Sequence, residues 1–159
     1  HAPVGLPRAR DDSSFRGPRL PTLRRLPMVF DPVALDSLAQ IDEDGSLVGE
    51  LIRLYHSDSS ALVAGLRSAW SAGDVERLGT TAHTLKSASG LVGAVDVMTL
   101  ARDIETRARE QYALADEATI AAVESAYVAA CAALTAYLDA KRGASAPAAR
   151  QDPATGTAC

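Results

Sequence analysis

Residues 74–112, DVERLGTTAHTLKSASGLVGAVDVMTLARDIETRAREQY, contain two amphipathic segments joined by a very short link. Core-type residues recur at intervals of three and four in each segment, which is the spacing of one face of an α-helix. These positions are Leu78, Ala82, Leu85, Ser89 and Val92 in the first segment, and Val97, Ala101, Ile104 and Ala108 in the second. Asp74 and Gly93 are typical residues for the start and the end of a helix. Since only a few residues separate the two predicted helices, we expect them to lie antiparallel and in contact.

Three further helices are predicted outside this pair. They span about residues 32–41, 46–72 and 118–141. Within the central pair, the second helix spans about 95–112. Asp31 before Pro32 and the residue Ser46 are candidate N-caps, and Gly73 ends the long helix. The expected core residues of the first helix are Val33, Leu35, Leu38 and Ile41. The chain also has 31 alanines and only 4% aromatic residues, a composition that favours helices. The sequence therefore predicts an all-α fold, an antiparallel up-down four-helix bundle with a short additional N-terminal helix.

The 159 residues fit one domain with tails. We expect residues 1–30 to be a disordered basic Pro/Arg-rich tail or an interdomain linker, 31–142 to be the bundle, and 143–159 to be a disordered C-terminal tail. The net charge is −4, but residues 28–140 contain seven basic and seventeen acidic side chains, a net charge of −10. Such an acidic body disfavours nucleic acid as a partner, because phosphates require clustered Lys and Arg.

The sequence predicts a cytoplasmic protein. No stretch approaches the roughly 18 uncharged apolar residues of a membrane span, and the first residues lack the apolar core of a signal peptide. Cys131 and Cys159 are far apart in the sequence and indicate neither a disulfide framework nor a metal site. We therefore expect a soluble monomer with no membrane insertion.

His83 is the candidate functional residue of the central stretch. At about 100° per residue its side chain projects roughly 160° from the core face centred on Leu85, so we expect it to face solvent. Gly79, Lys86 and Gly90 share its side of the helix, and a glycine inside a helix costs about 1 kcal/mol relative to alanine. This cost indicates a steric reason: a clearing of small residues through which another protein reaches the imidazole.

An exposed imidazole with a lysine one turn away suits phosphoryl transfer. A neutral imidazole nitrogen is a nucleophile at cellular pH, and a donor such as Lys86 meets the charge on the phosphoryl oxygens. The alternative is an ordinary solvated face, in which Gly90 is partly explained by its place near a helix end. Gly79, in the middle of the helix, is the feature that this alternative explains least.

The other candidates for chemistry are weaker. His56 has no ligand-spaced partner and is expected on the solvated surface, and Cys131 is expected to be a small packed residue without an activating base. The sequence has no glycine-rich phosphate loop, so we expect no ATP binding and a need for an external phosphoryl donor. It also has no Glu-x-x-His motif, which excludes a metal-binding bundle of that type.

Residues 82–94, AHTLKSASGLVGA, resemble the signature of histidine-containing phosphotransfer (HPt) domains. The matching positions are Ala82, His83, Leu85, Lys86, Gly90, Gly93 and Ala94. The similarity extends over about residues 31–140, which is most of the predicted bundle. Many members of the family have glycine at the position of Ser87, and serine is small enough to keep the same access.

The resemblance implies that His83 accepts a phosphoryl group from an aspartate of a response-regulator receiver domain and passes it to another receiver, with Lys86 holding the phosphoryl oxygens. In several members a polar residue 22 positions after the histidine hydrogen-bonds the other imidazole nitrogen, and here that position is Glu105. Glu105 would then fix the tautomer that leaves Nε2 free. Alternatively, Glu105 is a surface charge paired with Arg109 or Arg102.

Two functions from different classes follow. The first is a phosphorelay carrier with no kinase centre and no cofactor of its own, either free-standing or the last domain of a hybrid histidine kinase, whose receiver partner holds the magnesium. The second is a helical interaction module whose histidine is never phosphorylated. The row of His83, Lys86 and Gly90 favours the carrier, because a docking module has no reason to retain it.

Overall fold

The computed structural model describes residues 28–42 and 46–145. Within these ranges the chain forms five α-helices and no strand. They are α1 (Val33–Ala39), α2 (Ser46–Ser71), α3 (Val75–Val92), α4 (Val95–Glu110) and α5 (Glu117–Ser145). Every predicted helix is present, and each lies within four residues of its predicted ends.

The four long helices pack around one core. α3 contacts α2 and α4, and α5 contacts the same two helices, which closes the bundle. The short α1 lies against α2 and α3. Because the links on either side of α3 contain so few residues, the helices that they join must run antiparallel. The predicted all-α fold, a bundle with a short additional N-terminal helix, is confirmed.

The core faces of α3 and α4 lie where the residue spacing predicted them, since all nine expected positions are buried. The buried hydroxyl of Ser89 lies 3.2 Å from the hydroxyl of Tyr55, so this polar core position has a hydrogen-bond partner. In α1, however, only Leu35 is fully buried, and the expected core residues Val33 and Ile41 are exposed. This part of the prediction is wrong because α1 lies outside the four-helix ring and turns only one side toward the core.

The first turn of α2 is capped from the preceding loop. The carboxylate of Asp42 accepts hydrogen bonds from the backbone N–H groups of Leu47 and Val48, at 3.2 and 2.8 Å. Asp42 thereby satisfies two of the amides that a helix start leaves unpaired. The candidate cap Ser46 is itself the first helical residue.

Both edges of the domain extend beyond their predicted limits. Phe30, assigned to the 1–30 tail, packs edge-on against the Tyr137 ring of α5, with 5.6 Å between ring centroids. The Tyr137 hydroxyl donates to Asp36 of α1 at 2.8 Å. At the other end α5 continues through residues 143–145, which were expected in the C-terminal tail. Gly143 and Ala144 are exposed there, and residues this small can continue a helix without packing against the core.

Several sequence predictions fall on residues that the structure does not describe. They are the remaining parts of the two predicted tails, residues 1–27 and 146–159, and residues 43–45 of the acidic turn.

α5 is the one helix in the described part of the chain that is long and apolar enough to cross a membrane by length and composition. An 18-residue window within Glu117–Ala144 has a mean hydropathy of 1.5. The helix still lacks an uncharged stretch of this length, as expected from the sequence, because Glu124 and Asp139 interrupt it. The high value comes from the many alanines of the helix. Ile120, Val123, Ala130 and Leu134 of α5 are buried, and the helix packs against α2 and α4.

Local contacts fix both ends of α3. The carboxylate of Asp74 accepts from the backbone N–H of Arg77 at the start of α3, at 3.0 Å, and Gly93 ends the helix with a left-handed φ of +75°. The Asp31 N–H donates to the Gly93 carbonyl at 2.8 Å. A Cβ on Gly93 would overlap the Asp31 carbonyl oxygen, so glycine is required here for both conformation and space.

We expect Gly93→Ala to lower the free energy of unfolding by about 2–4 kcal/mol, because it combines left-handed strain with displacement of Asp31. Gly73→Ala is the matched control, since Gly73 has a φ of +70° but nothing within 4 Å of an added Cβ. Its loss should be about 1–2 kcal/mol, from strain alone. Urea unfolding of the three chains measures the difference, and equal losses would contradict a stabilising contact at Asp31.

Candidate functional site

His83 lies in the middle of α3, on the side away from the core. Its side chain is 48% exposed, whereas Ala82 and Leu85 next to it are fully buried. Because a helix turns about 100° per residue, the buried face fixes the direction of the imidazole. The predicted exposure of His83 is confirmed.

Glu105 of α4 reaches His83 because α3 and α4 lie antiparallel and in contact. Its Oε1 lies 2.7 Å from Nδ1 of the imidazole, 22 residues earlier in the chain. A carboxylate only accepts hydrogen bonds, so the ring donates from Nδ1–H in this contact. The neutral ring then carries its lone pair on Nε2. The pairing expected between the two side chains is therefore present.

Lys86 of α3 contacts the same carboxylate. Its Nζ donates to Oε2 of Glu105 at 2.6 Å, and the lysine side chain is 29% exposed. This ion pair was not predicted, because Lys86 was assigned only to a phosphoryl group. Its existence depends on the register between α3 and α4, which helix periodicity alone does not specify.

Arg109 makes the third contact with Glu105. Its Nη1 lies 3.3 Å from Oε1, and its side chain is 52% exposed. The pairing with Arg109 thus exists together with the His83 contact and does not replace it. Glu105 itself is only 11% exposed, so it is not the surface charge of the alternative interpretation. Arg102 is not among its ion-pair partners in the described residues.

The pKa of Glu105 results from opposing effects. Burial raises the pKa of this carboxyl, but hydrogen bonds from Lys86 and His83 outweigh burial and hold the pKa below its ordinary value of 4.5. The two partners favour the charged form of the group. Glu105 is therefore an anion at neutral pH, lying directly behind the imidazole.

The small residues expected around His83 divide into two groups. Ser87 and Gly90 are exposed as predicted, and the Ser87 hydroxyl donates to the His83 carbonyl at 3.0 Å. Gly79 is buried, so its expected place in the exposed clearing is wrong. A Cβ on Gly79 would lie 3.1 Å from Cβ of Ala108. This glycine lets α3 and α4 approach each other closely.

The weaker candidates stay apart from this cluster. His56 is only partly exposed, contrary to expectation, and its buried Nε2 has no hydrogen-bond partner in the described part of the chain. Cys131 is partly buried, and burial raises the pKa of its thiol, which disfavours the reactive thiolate. Among the described residues no group of three His, Cys, Asp or Glu side chains is placed to hold a metal ion.

We expect Glu105→Gln to be less stable than the wild type by about 1–2 kcal/mol at pH 7, because Lys86 loses its charged partner. The folded-state pKa of Glu105 lies below 4.5, so its carboxylate stabilises the fold above that pH and the contribution is lost as the pH falls through the lower folded value. Urea unfolding at pH 7 and at several values below 4.5 should show the difference between the chains shrinking. Glu110→Gln, at an exposed position of the same helix, is the control, and a difference independent of pH would contradict the assignment.

Comparison with known proteins agrees with this geometry. The Hpt domain family model matches residues 50–146, which contain His83 and its three neighbours. The chain is also similar in structure to histidine-containing phosphotransfer protein B (HptB) from Pseudomonas aeruginosa PAO1, with a TM-score of 0.63 and 27% sequence identity, covering 70% of this chain and 96% of that one. No match is found among curated proteins. Because the family match covers more than half of the chain, the protein belongs to the histidine-containing phosphotransfer (HPt) family, the phosphocarriers of phosphorelay signalling.

Proposed function

We propose that His83 is the phosphoryl acceptor of this carrier. Its Nε2 takes a phosphoryl group from an aspartyl phosphate of a receiver domain and later passes the group to another receiver. The observation that carries the proposal is an exposed imidazole whose Nδ1 lies 2.7 Å from the buried carboxylate of Glu105. This contact orients the ring and leaves the Nε2 lone pair on the solvent side.

The transfer requires no general base. A bond forms between Nε2 and phosphorus while the bond between phosphorus and the aspartate oxygen of the receiver breaks, and the aspartate leaves as a carboxylate. The imidazole keeps its hydrogen on Nδ1, so the phosphorylated ring carries a positive charge. The anion of Glu105 lies against this charge and stabilises it. The reverse reaction toward a second receiver uses the same pair.

Lys86 is proposed to bind the phosphoryl oxygens. Its ammonium lies one helical turn from His83, and Glu105 holds it there at 2.6 Å. A lysine ammonium on a flexible stem moves a short distance without moving the helix. Its charge-assisted hydrogen bond to the phosphoryl group would stabilise both the transition state and the phosphorylated product.

The proposed partners are receiver domains of response regulators or of a hybrid histidine kinase. Ser87 and Gly90 leave room beside the imidazole for the edge of such a domain. We propose that the carrier works in the cytoplasm as a monomer without a kinase centre, and that it needs no cofactor because the magnesium ion belongs to the receiver. The family membership supports this arrangement.

We expect His83→Gln to abolish phosphoryl acceptance while the thermal midpoint changes little, because the side chain is half exposed and Glu105 keeps its ion pairs with Lys86 and Arg109. The measurement is transfer of labelled phosphoryl from a phosphorylated receiver domain, with circular dichroism to check folding. His56→Gln is the control and should still accept the label. If His83→Gln accepts the label as the wild type does, the acceptor has been assigned wrongly.

Gly90→Leu tests the access of the partner. A Cβ at this position meets only the Met98 sulfur, at 3.5 Å, so the variant should fold, but its side chain should obstruct a docking receiver. We expect transfer from the receiver to slow about tenfold, which corresponds to about 1.4 kcal/mol. Acceptance from the small donor phosphoramidate should stay unchanged, and Gly143→Leu on α5 should affect neither reaction. Normal transfer from the receiver to Gly90→Leu would show that docking does not use this part of α3.

A further inference from the structure

The carboxylate of Glu105 has more partners than the orientation of an imidazole requires. Its Oε1 lies 2.7 Å from Nδ1 of His83 and 3.3 Å from Nη1 of Arg109. Its Oε2 lies 2.6 Å from Nζ of Lys86. Two cations from different helices thus share one anion that is only 11% exposed.

The single ammonium group of Lys86 is needed in two places. In the structure its charge balances Glu105, yet the proposed function requires the same group at the phosphoryl oxygens. If Lys86 moved away and nothing replaced it, Oε2 of this largely buried carboxylate would lose the donor that it has in the described structure. A buried carboxylate oxygen without a donor is unfavourable, so this loss would oppose phosphorylation of the site.

We propose that Arg109 is a positioning residue that takes over the charge of Glu105 when Lys86 turns to the phosphoryl group on His83. The inference rests on the proposed function. Arg109 is suited to this role because its guanidinium already contacts Oε1 and has enough donors in one plane to bind both carboxylate oxygens. Its half-exposed side chain has the freedom to make that adjustment.

The charge balance of the site supports the same role. In the reactive form the imidazole must be neutral to attack phosphorus, while Lys86 and Arg109 are positive and Glu105 is negative, so the cluster carries one net positive charge. Transfer adds one net negative charge, because the phosphoryl dianion arrives on a ring that becomes positive. With Arg109 the phosphorylated cluster is neutral, whereas without it the cluster has an excess negative charge beside a low-dielectric core.

The backbone of α3 leaves space for this arginine. A Cβ on Gly79 would lie 3.6 Å from Cγ of Arg109, as well as 3.1 Å from Cβ of Ala108. The stem of Arg109 therefore runs beside the bare backbone of Gly79 toward Glu105. Gly79 is buried, so an exposed clearing does not explain a glycine at this position. The close contact of α3 with α4 and with the stem of Arg109 does explain it.

The test uses phosphoramidate as the donor, so that docking of a receiver does not enter the result. Its P–N bond breaks as the bond from phosphorus to Nε2 of His83 forms, and ammonia leaves. We expect Arg109→Ala to reduce both the acceptance rate and the lifetime of the phosphorylated chain by about 3- to 10-fold, as for loss of a partly exposed charged hydrogen bond. Arg109→Lys should restore most of this loss. Arg102→Ala, which removes a cation from an exposed position of the same helix, should have no effect.

A double-mutant cycle distinguishes replacement of Lys86 from a general effect of positive charge. If Arg109 acts by releasing Lys86, its removal should matter less in the Lys86→Ala background than in the wild type. Equal fold-changes in both backgrounds, or normal rates for Arg109→Ala, would overturn the inference and leave His83 as the acceptor. A wild-type chain that accepts no phosphoryl group on His83 from any donor would instead overturn the proposed function itself.

Discussion

The pairing of one buried carboxylate with donors from two helices is the interaction on which this site depends. Glu105 is the charged side chain that the described bundle buries, and burial is favourable only if its charge is balanced. His83 and Lys86 approach it from α3, and Arg109 approaches it from its own helix, α4. Any slip between the two helices would separate the carboxylate from His83 and Lys86 and leave it only Arg109, so the register of α3 against α4 is also a requirement of stability.

That register is set by small residues and by the turn between the helices. Gly79 allows α3 to approach Ala108 so closely that an added methyl group would be crowded. At the other end of α3, Gly93 adopts a left-handed conformation, and its carbonyl accepts a hydrogen bond from the N–H of Asp31 in the N-terminal segment. Gly79 lowers the intrinsic stability of α3, whereas Gly93 suits the helix end; together they hold the two helices at the separation that the ion pairs need. The fold and the site therefore share the same residues.

In the proposed function the site combines a fixed nucleophile, His83, with two movable cations, Lys86 and Arg109. The imidazole of His83 is held between a rigid helix and a buried anion, so its Nε2 is presented in one direction without reorganisation. Lys86 and Arg109 are long, partly exposed side chains that can follow the charge as it arrives and leaves. Such an arrangement suits a carrier, which must accept and release the same group with similar ease.

The helices, the core faces of α3 and α4 and the exposure of His83 could be predicted from the sequence, because they follow from local periodicity. The family resemblance added Glu105 as a partner of His83. The contacts of Gly79 with Ala108 and of Lys86 with Glu105 could not be predicted and are seen only in the packed helices. Both depend on the axial register and distance between two helices. Periodicity gives the direction of a side chain around its own helix axis, whereas contact across an interface is settled by how closely two particular surfaces pack.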